Sequence, residues 1–538
     1  MNDFGKASLD GLELDVAVIG SGFAGIYSLH KLRNDLNLNV QSFDDAGDLG
    51  GTWYWNRYPG VRVDTEVTAY CYKFDEEFSS NWNWTERYPR QPEILEYLHG
   101  IADKYDLKRS MNFNSKIIKA EWIEAISRWS LTTAKGEHIT AQFVIEGVGL
   151  LSSVNRAHFK GEETFKGEIL HTARWPHEGF DLKGKRVGII GTGSSGIQVI
   201  ADIAKDVDRL FVLQRTPQYV VPAQHSPIKP ELKKWMAEDY DGYWKWVMNS
   251  ATVFGLQESD VPAMSVSEEE RQRVYEEAWA KGGGFRFMLG TFGDIITSRE
   301  SNQTATDFIR GKIAEIVTDP ATAALLMPHD LYAKRPLCAD DYYETFNRDN
   351  VTLVDVKKHP IVEITPSGIR TEAGEIELDV IIMATGFDAV TGNYLKIETV
   401  GRNGMQLKDH WKDGPKSLFG LNIANFPNLF MVFGPFSPFT NQPPVHEYQI
   451  EWIVDAIKHV RESGQKSIEA DVAAEQNWVD ACDAVAAQTL FAETDSWING
   501  SNVAGKPRTN MFYMAGMAAY SVDMERMTAA DYEGFKVK

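Results

Sequence analysis

Two segments of the chain carry glycines at a spacing suited to holding phosphate. They are Gly20-Ser21-Gly22-Phe23-Ala24-Gly25 and Gly191-Thr192-Gly193-Ser194-Ser195-Gly196, 171 residues apart from first glycine to first glycine. In a G-x-G-x-x-G run the first glycine makes a tight turn, the second lets the backbone approach a pyrophosphate, and the third lets helix and strand pack closely. The helix that follows adds free N–H groups and a partial positive charge. The residues downstream separate the two ligands. Nineteen residues after Gly25 stands Asp44, with Asp45 beside it. A carboxylate there accepts hydrogen bonds from a ribose 2′-OH and repels a 2′-phosphate. Nineteen residues after Gly196 stands Arg215, followed by Thr216. A guanidinium there neutralises a 2′-phosphate and can grip it with two bonds. The first site suits FAD and the second NADPH, a pairing that serves redox chemistry.

Each fingerprint needs a strand before it and a helix after it. Leu14–Gly20 (LDVAVIG) is a short β-branched run that predicts a buried parallel strand, SGFAGIYSLHKL has helical spacing, and Asn39–Phe43 predicts the next strand. The pattern recurs with Lys185–Ile190, the helical Ser194–Ala204 and Leu210–Leu213, and a third buried strand is expected over Asp379–Ala384. The fold class is therefore α/β, with two Rossmann-like dinucleotide-binding domains. Between them the texture changes. Ser267-Glu268-Glu269-Glu270 reads as a capping box, a charged amphipathic helix runs to Lys281, Gly282–Gly284 end it, and Thr304–Ile316 reads as helix. This predicts a helical insertion over 225–332. The remaining boundaries are 1–150 for the first part of the FAD-binding domain, 151–224 and 333–380 for the two parts of the NADPH-binding domain, and 381–538 for the second part of the FAD-binding domain.

Bulk composition narrows the function classes. The 538 residues suffice for about three or four domains. A net charge of -21 argues against nucleic acid or an anionic membrane as partner, because both need a basic face. Cys71, Cys338 and Cys482 are too few and too scattered for a disulfide framework, a dithiol redox centre or a zinc knuckle, and no metal is expected. The N-terminal MNDFGKASLDGLELD lacks the basic and apolar regions of a signal peptide, and no apolar run approaches the ~18 residues of a membrane span. A cytoplasmic, monomeric enzyme is the expectation.

Further motifs carry a resemblance. Phe165-Lys166-Gly167-Glu168-Ile169-Leu170-His171-Thr172-Ala173-Arg174-Trp175-Pro176 matches FxGxxxHxxxWP. Gly50-Gly51-Thr52-Trp53-Tyr54-Trp55-Asn56-Arg57-Tyr58-Pro59-Gly60 looks like a flavin-contacting segment, and Ala384-Thr385-Gly386-Phe387-Asp388 like a second FAD motif. Together they resemble the type I Baeyer–Villiger monooxygenases over nearly the whole chain. VPAMSVSEEER (261–271), GGGFRFM (282–288), LYAKRPLC (331–338) and FTNQPP (439–444) bring the resemblance nearest to cyclohexanone monooxygenases.

The resemblance implies that FAD, NADPH and dioxygen convert a cyclic ketone into a lactone through a flavin C4a-peroxide. It places Gly51, Thr52, Trp53 and Trp55 beside the flavin. Thr192, Ser194, Ser195, Gln198 and Lys334 join the NADPH site, and Trp497 reaches toward the nicotinamide side or the substrate. Arg335 is the expected catalytic cation, held by Asp64. It would stabilise the peroxide and the oxyanion of the adduct by fixed charge. His171 lies in the linker between the domains and is expected to position rather than to donate a proton. The ketone pocket would comprise Phe439, Thr440, Asn441, Gln442, Trp497 and Phe512. Near it Phe436-Ser437 stand where close cyclohexanone enzymes have Asn-Gly, and Gln442 stands where they have Leu; Val144–Gly149 (VIEGVG) replaces a small-residue ATG-like stretch. Two other functions compete. Oxygenation of amines or sulfides could use the same cofactors, but Trp175-Pro176 and LYAKRPLC argue against it as the main activity. A non-catalytic flavin redox sensor is disfavoured by the intact phosphate loops and by Arg335.

Overall fold

A computed structural model describes residues 8–538. The stretch 1–7, read above as lacking a signal peptide, lies outside the described residues. Two sheets organise the chain. The larger has eight strands. Its parallel heart is His138–Glu146, Leu12–Ile19 and Val40–Phe43, with Met111–Asn112 beyond Val40–Phe43. On the other side Arg128–Thr133 and Ile117–Ile123 run antiparallel, and Glu398–Val400 closes that edge. Leu429–Met431 pairs with the end of His138–Glu146. The second sheet is wholly parallel, in the order Val351–Asp355, Arg209–Gln214, Arg186–Ile190, Val380–Met383, Glu168–His171.

The strands expected from β-branched runs all form, because both sheet faces are covered. Val380–Met383 is buried at every position, and each such side chain contributes roughly 1.5–3 kcal/mol over exposure. This strand lies inside the second sheet, so a division drawn after 380 cuts a strand of that sheet behind its first residue. The helix after the first fingerprint is α-helical only over Phe23–Leu29 and continues as a π-turn over His30–Asp35.

The segment 225–332 is mainly helical, as expected, with two differences. Ser267 caps Glu268–Lys281 by accepting from the Glu270 N–H at 3.2 Å, but the Glu270 carboxylate turns to Arg273, so only half of the predicted box is made. The next long helix starts at Arg299 rather than Thr304, with Ser298 as its N-cap, and runs to Ile316. Gly282 and Gly283 take φ of 70° and 99°, which reverses the chain so that a new helix, Gly284–Gly290, can begin at once.

Candidate active site

Both glycine loops sit at the same place in their sheets. Gly20 donates its N–H to Phe43 O at 2.8 Å, and Gly191 donates to Leu213 O at 3.3 Å. Their φ angles are 108° and 107°, and a Cβ at either would strike the carbonyl of the strand end opposite, Gly147 or Ala384. A Cβ on Gly25 or Gly196 would strike the carbonyl of its own loop's first glycine, so close packing of helix on strand accounts for both. Nothing stands within 4 Å of a Cβ placed on Gly193, which leaves that loop open to a ligand. Both loops therefore have the tight turn and close helix packing that a dinucleotide phosphate site requires.

One cavity of about 430 Å³ connects them. Gly20, Gly22 and Phe23 line it from the first loop, and Ser194, Ser195 and Gln198 from the second. Gly51, Thr52, Trp53 and Trp55 line it from the short helix Thr52–Trp55 and its cap. Gln198 links the two halves, accepting from Tyr58 Oη at 2.9 Å and donating to Arg62 O at 3.2 Å. Asp44 also lines the cavity, beside the exposed Asp45. Its two oxygens accept from the N–H groups of Ser21 at 2.7 Å and Ala46 at 2.9 Å, yet burial pushes its carboxyl up to about 6.

At the other end of the cavity stands an ion pair. Arg335 Nη2 donates to Asp64 Oδ1 at 2.6 Å, and the guanidinium lies 4.1 Å from the centre of the Phe285 ring. Its Nη1 is buried with no hydrogen-bond partner among the described residues. Three local features hold this arrangement. Leu337–Cys338 pairs with Val220–Val221, Gly284 fits closely against Pro336, and the chain before Asp64 is tied to 89–91 through Val63 N–Pro89 O and Gln91 N–Val61 O, each 3.2 Å. A charged N–H left buried and unpartnered is costly unless something fills its direction, so Nη1 is a ready donor to a negative ligand atom.

The expected ketone pocket gathers here. Phe439, Thr440, Asn441, Gln442, Trp497 and Phe512 all line the cavity. Phe512 packs edge-on against Phe439 at 5.3 Å and Trp497 at 6.0 Å. Asn502 ties the Trp497 loop to the second FAD motif by donating to Phe387 O at 2.8 Å. Phe254 and Phe285 also belong to this wall, stacked at 3.7 Å, and sequence reasoning missed them. GGGFRFM held Phe285 in view, but nothing local marks which aromatic of a helical insertion faces a site. Tyr58, Arg174 and His446 are further additions. Arg174 lies 4.2 Å over Trp55. His446 is buried, its Nδ1 is unpartnered, and desolvation pushes it down to about 3, so it is neutral.

Other expected residues fall outside the cavity lining. Phe436 and Ser437 are fully buried behind the pocket, Phe436 with φ 67°, so of the departures noted near the pocket only Gln442 faces it. Arg215 is exposed and Thr216 half-buried at the end of Arg209–Gln214, where Thr216 O accepts from Thr192 Oγ1 at 3.1 Å. Lys334 pairs with Asp330. His171 ends its strand beside Thr385. Its Nδ1 accepts from Ala173 N at 3.0 Å, so in the neutral ring Nε2 donates to Thr385 Oγ1 at 3.2 Å, and Thr385 donates onward to Asn155 O at 2.6 Å. Desolvation, with Arg174 and Arg156 nearby, pushes this histidine down to about 4.

Comparison with known proteins agrees with this geometry. A family model described as flavin-binding monooxygenase-like matches residues 13–227. The chain is 50% identical to a cyclohexanone 1,2-monooxygenase of Acinetobacter sp. over 98% of its own length and 97% of the relative. It is 51% identical to a Baeyer–Villiger monooxygenase of Pseudooceanicola batsensis over 98% and 96%. The solved structure of a cyclohexanone monooxygenase from Rhodococcus sp. Phi1 bound to NADP+ superposes with a TM-score of 0.97 at 50% identity, covering 98% of this chain and 99% of that one. With near-complete coverage at this identity, and with the first glycine loop, Ser194, Ser195 and the Arg335–Asp64 pair lining one cavity, the chain belongs to the type I Baeyer–Villiger monooxygenase family.

Proposed function

We propose that this protein is an NADPH- and FAD-dependent Baeyer–Villiger monooxygenase that uses dioxygen to insert one oxygen next to the carbonyl of a cyclic, cyclohexanone-like ketone, giving a lactone. The observation that carries the reading is the buried, unpartnered Nη1 of Arg335, fixed by Asp64 at the aromatic end of a cavity lined by Gly20 and Gly22 of the first loop and by Ser194 and Ser195 after the glycines of the second. FAD would lie along Gly20, Gly22 and Asp44, and NADPH along Ser194, Ser195 and the Arg215–Thr216 turn, with Lys334 nearby. Bound there and reduced by NADPH, FAD would supply the oxygen-activating chemistry. Arg335 offers N–H and charge to the oxyanion that develops on the ketone, a preorganised donor that needs no reorientation. Asp64 positions that guanidinium. The rings of Phe254, Phe285, Phe439 and Phe512 keep water away, which strengthens each electrostatic contact. Neutral His171 fixes the linker by accepting at Nδ1 and donating at Nε2.

No helix among the described residues is long and apolar enough to cross a membrane. A cytoplasmic monomer is the state we assign. The purified protein, given FAD, NADPH and cyclohexanone under labelled dioxygen, is expected to consume NADPH in a ketone-dependent way and to release a lactone carrying one label. Absence of ketone-stimulated NADPH oxidation, or oxygenation only of amine or sulfide probes, would overturn the assignment.

A further inference from the structure

The substrate end of the cavity is walled mainly by rings, and Gln442 interrupts that wall. It begins the helix Gln442–Glu462 and directly follows Phe439-Thr440-Asn441. It is half-buried, lines the cavity, and its side-chain amide makes no hydrogen bond to any described residue. Its place at the aromatic end is set by Asn441, which donates through Nδ2 to Ala69 O at 2.6 Å and Val253 O at 3.0 Å and through its backbone N–H to Thr252 O at 3.0 Å. Val253 adjoins Phe254, the ring stacked on Phe285 beneath Arg335. Gln442 therefore lines the cavity directly after the segment that carries Phe439, next to the compartment proposed to hold the ketone. Asn441 Oδ1, buried and unpartnered, adds a second acceptor beside it.

A hydrocarbon ring filling this compartment would strip water from the Gln442 amide and return no hydrogen bond. A ring carrying a hydroxyl or a second carbonyl would restore one. Sites built this way discriminate strongly against the analogue that lacks the polar group, because their own polar atoms are then left unpaired. Arg335 Nη1 is already assigned to the reacting carbonyl, so Gln442 is a second, separate polar anchor. Building on the ketone-oxygenating reading above, we propose that the preferred substrates are cyclic ketones bearing a second hydrogen-bonding group on the ring, and that the Gln442 side-chain amide binds that group.

The test compares 4-hydroxycyclohexanone with cyclohexanone on the FAD-loaded enzyme with NADPH, in the wild type, Gln442→Leu and Gln442→Met. The wild-type kcat/KM for lactone formation should favour the hydroxylated ketone by roughly tenfold or more, chiefly through KM. Both variants should lose that preference while retaining FAD and its visible spectrum. The same ratio in wild type and both variants overturns the inference. So does loss of FAD or a shifted flavin spectrum in the variants, which would assign the amide to the cofactor. A wild type that oxygenates neither ketone defeats the functional reading itself, whereas cyclohexanone turnover with an unmoved ratio defeats only the role of Gln442.

Discussion

Removing the guanidinium of Arg335 tests the centre of the site. The two terminal nitrogens of this group are placed differently. Nη2 is spent on Asp64 at 2.6 Å, and Nη1 is buried with nothing to bond. Arg335→Ala deletes the free donor and the positive charge together, and leaves Asp64 without its partner. Loss of one preorganised oxyanion donor costs about 10²–10³ in kcat, or about 2.7–4 kcal/mol of barrier. Lactone formation should therefore fall by at least that factor. FAD should stay bound, because Gly20, Gly22 and Asp44 are untouched. Reduction by NADPH should suffer less than oxygenation, and residual NADPH consumption should yield mostly hydrogen peroxide. Arg335→Lys should rescue poorly, since a single ammonium cannot serve Asp64 and the Nη1 direction in the planar fork of an arginine. The assay is lactone by gas chromatography set against NADPH consumed and hydrogen peroxide formed. Lactone yield near wild type in Arg335→Ala would refute the reasoning and move the search for the cation to Lys334.

Three further outcomes are expected. Arg215→Ala should raise KM for NADPH roughly ten- to a hundredfold, the scale of a lost charge-assisted bond, and leave NADH nearly unchanged; equal loss for both coenzymes contradicts the 2′-phosphate assignment. Glu146 is buried with neither carboxylate oxygen partnered, and desolvation pushes it up to about 8 from an ordinary value of 4.5. Between those values the unfolded chain is ionised there and the folded chain protonated, so this group's contribution to stability declines as pH rises from 4.5 to about 8. Glu146→Gln should flatten that part of the pH–Tm profile and raise Tm near pH 8, and an unchanged profile would refute it. Because His171 stays neutral down to about 4, His171→Gln should slow turnover without removing any limb of the pH–rate profile above pH 5, and loss of a limb between pH 6 and 7 would make this histidine a proton donor.

Much of the nucleotide machinery is legible because its physics is local. A β-branched run, a glycine forced to positive φ and a helix N-terminus lie within a dozen residues of one another, as at Val16–Phe23 and Val187–Ser194. Periodicity also finds the insertion helices, although their starts shift with the cap in use: Ser298 caps the second of them, which begins at Arg299, five residues before Thr304. The family motifs identify Arg335 and Asp64 as candidates without showing that they touch.

That contact joins residues 271 apart, and only tertiary structure decides it. A single-residue charge has no periodic signature, so its partner is set by which segments pack together, here Leu337–Cys338 on Val220–Val221 and Gly284 on Pro336. The same holds for Phe254 and Phe285. Their composition looks like any buried aromatic of a helical insertion; the facing of Phe285 follows the chain reversal at Gly282–Gly283, and Phe254 is stacked on it from another segment. Phe436 shows the converse, since it adjoins the pocket segment in sequence and yet packs behind it. The sequence by itself determined the two glycine loops and the α/β class, because backbone geometry and hydrophobic spacing act over a few residues. The tertiary structure decided which rings wall the cavity, which polar groups stay unpaired in it and where the charge pair meets, because those depend on packing between segments that the chain order keeps far apart.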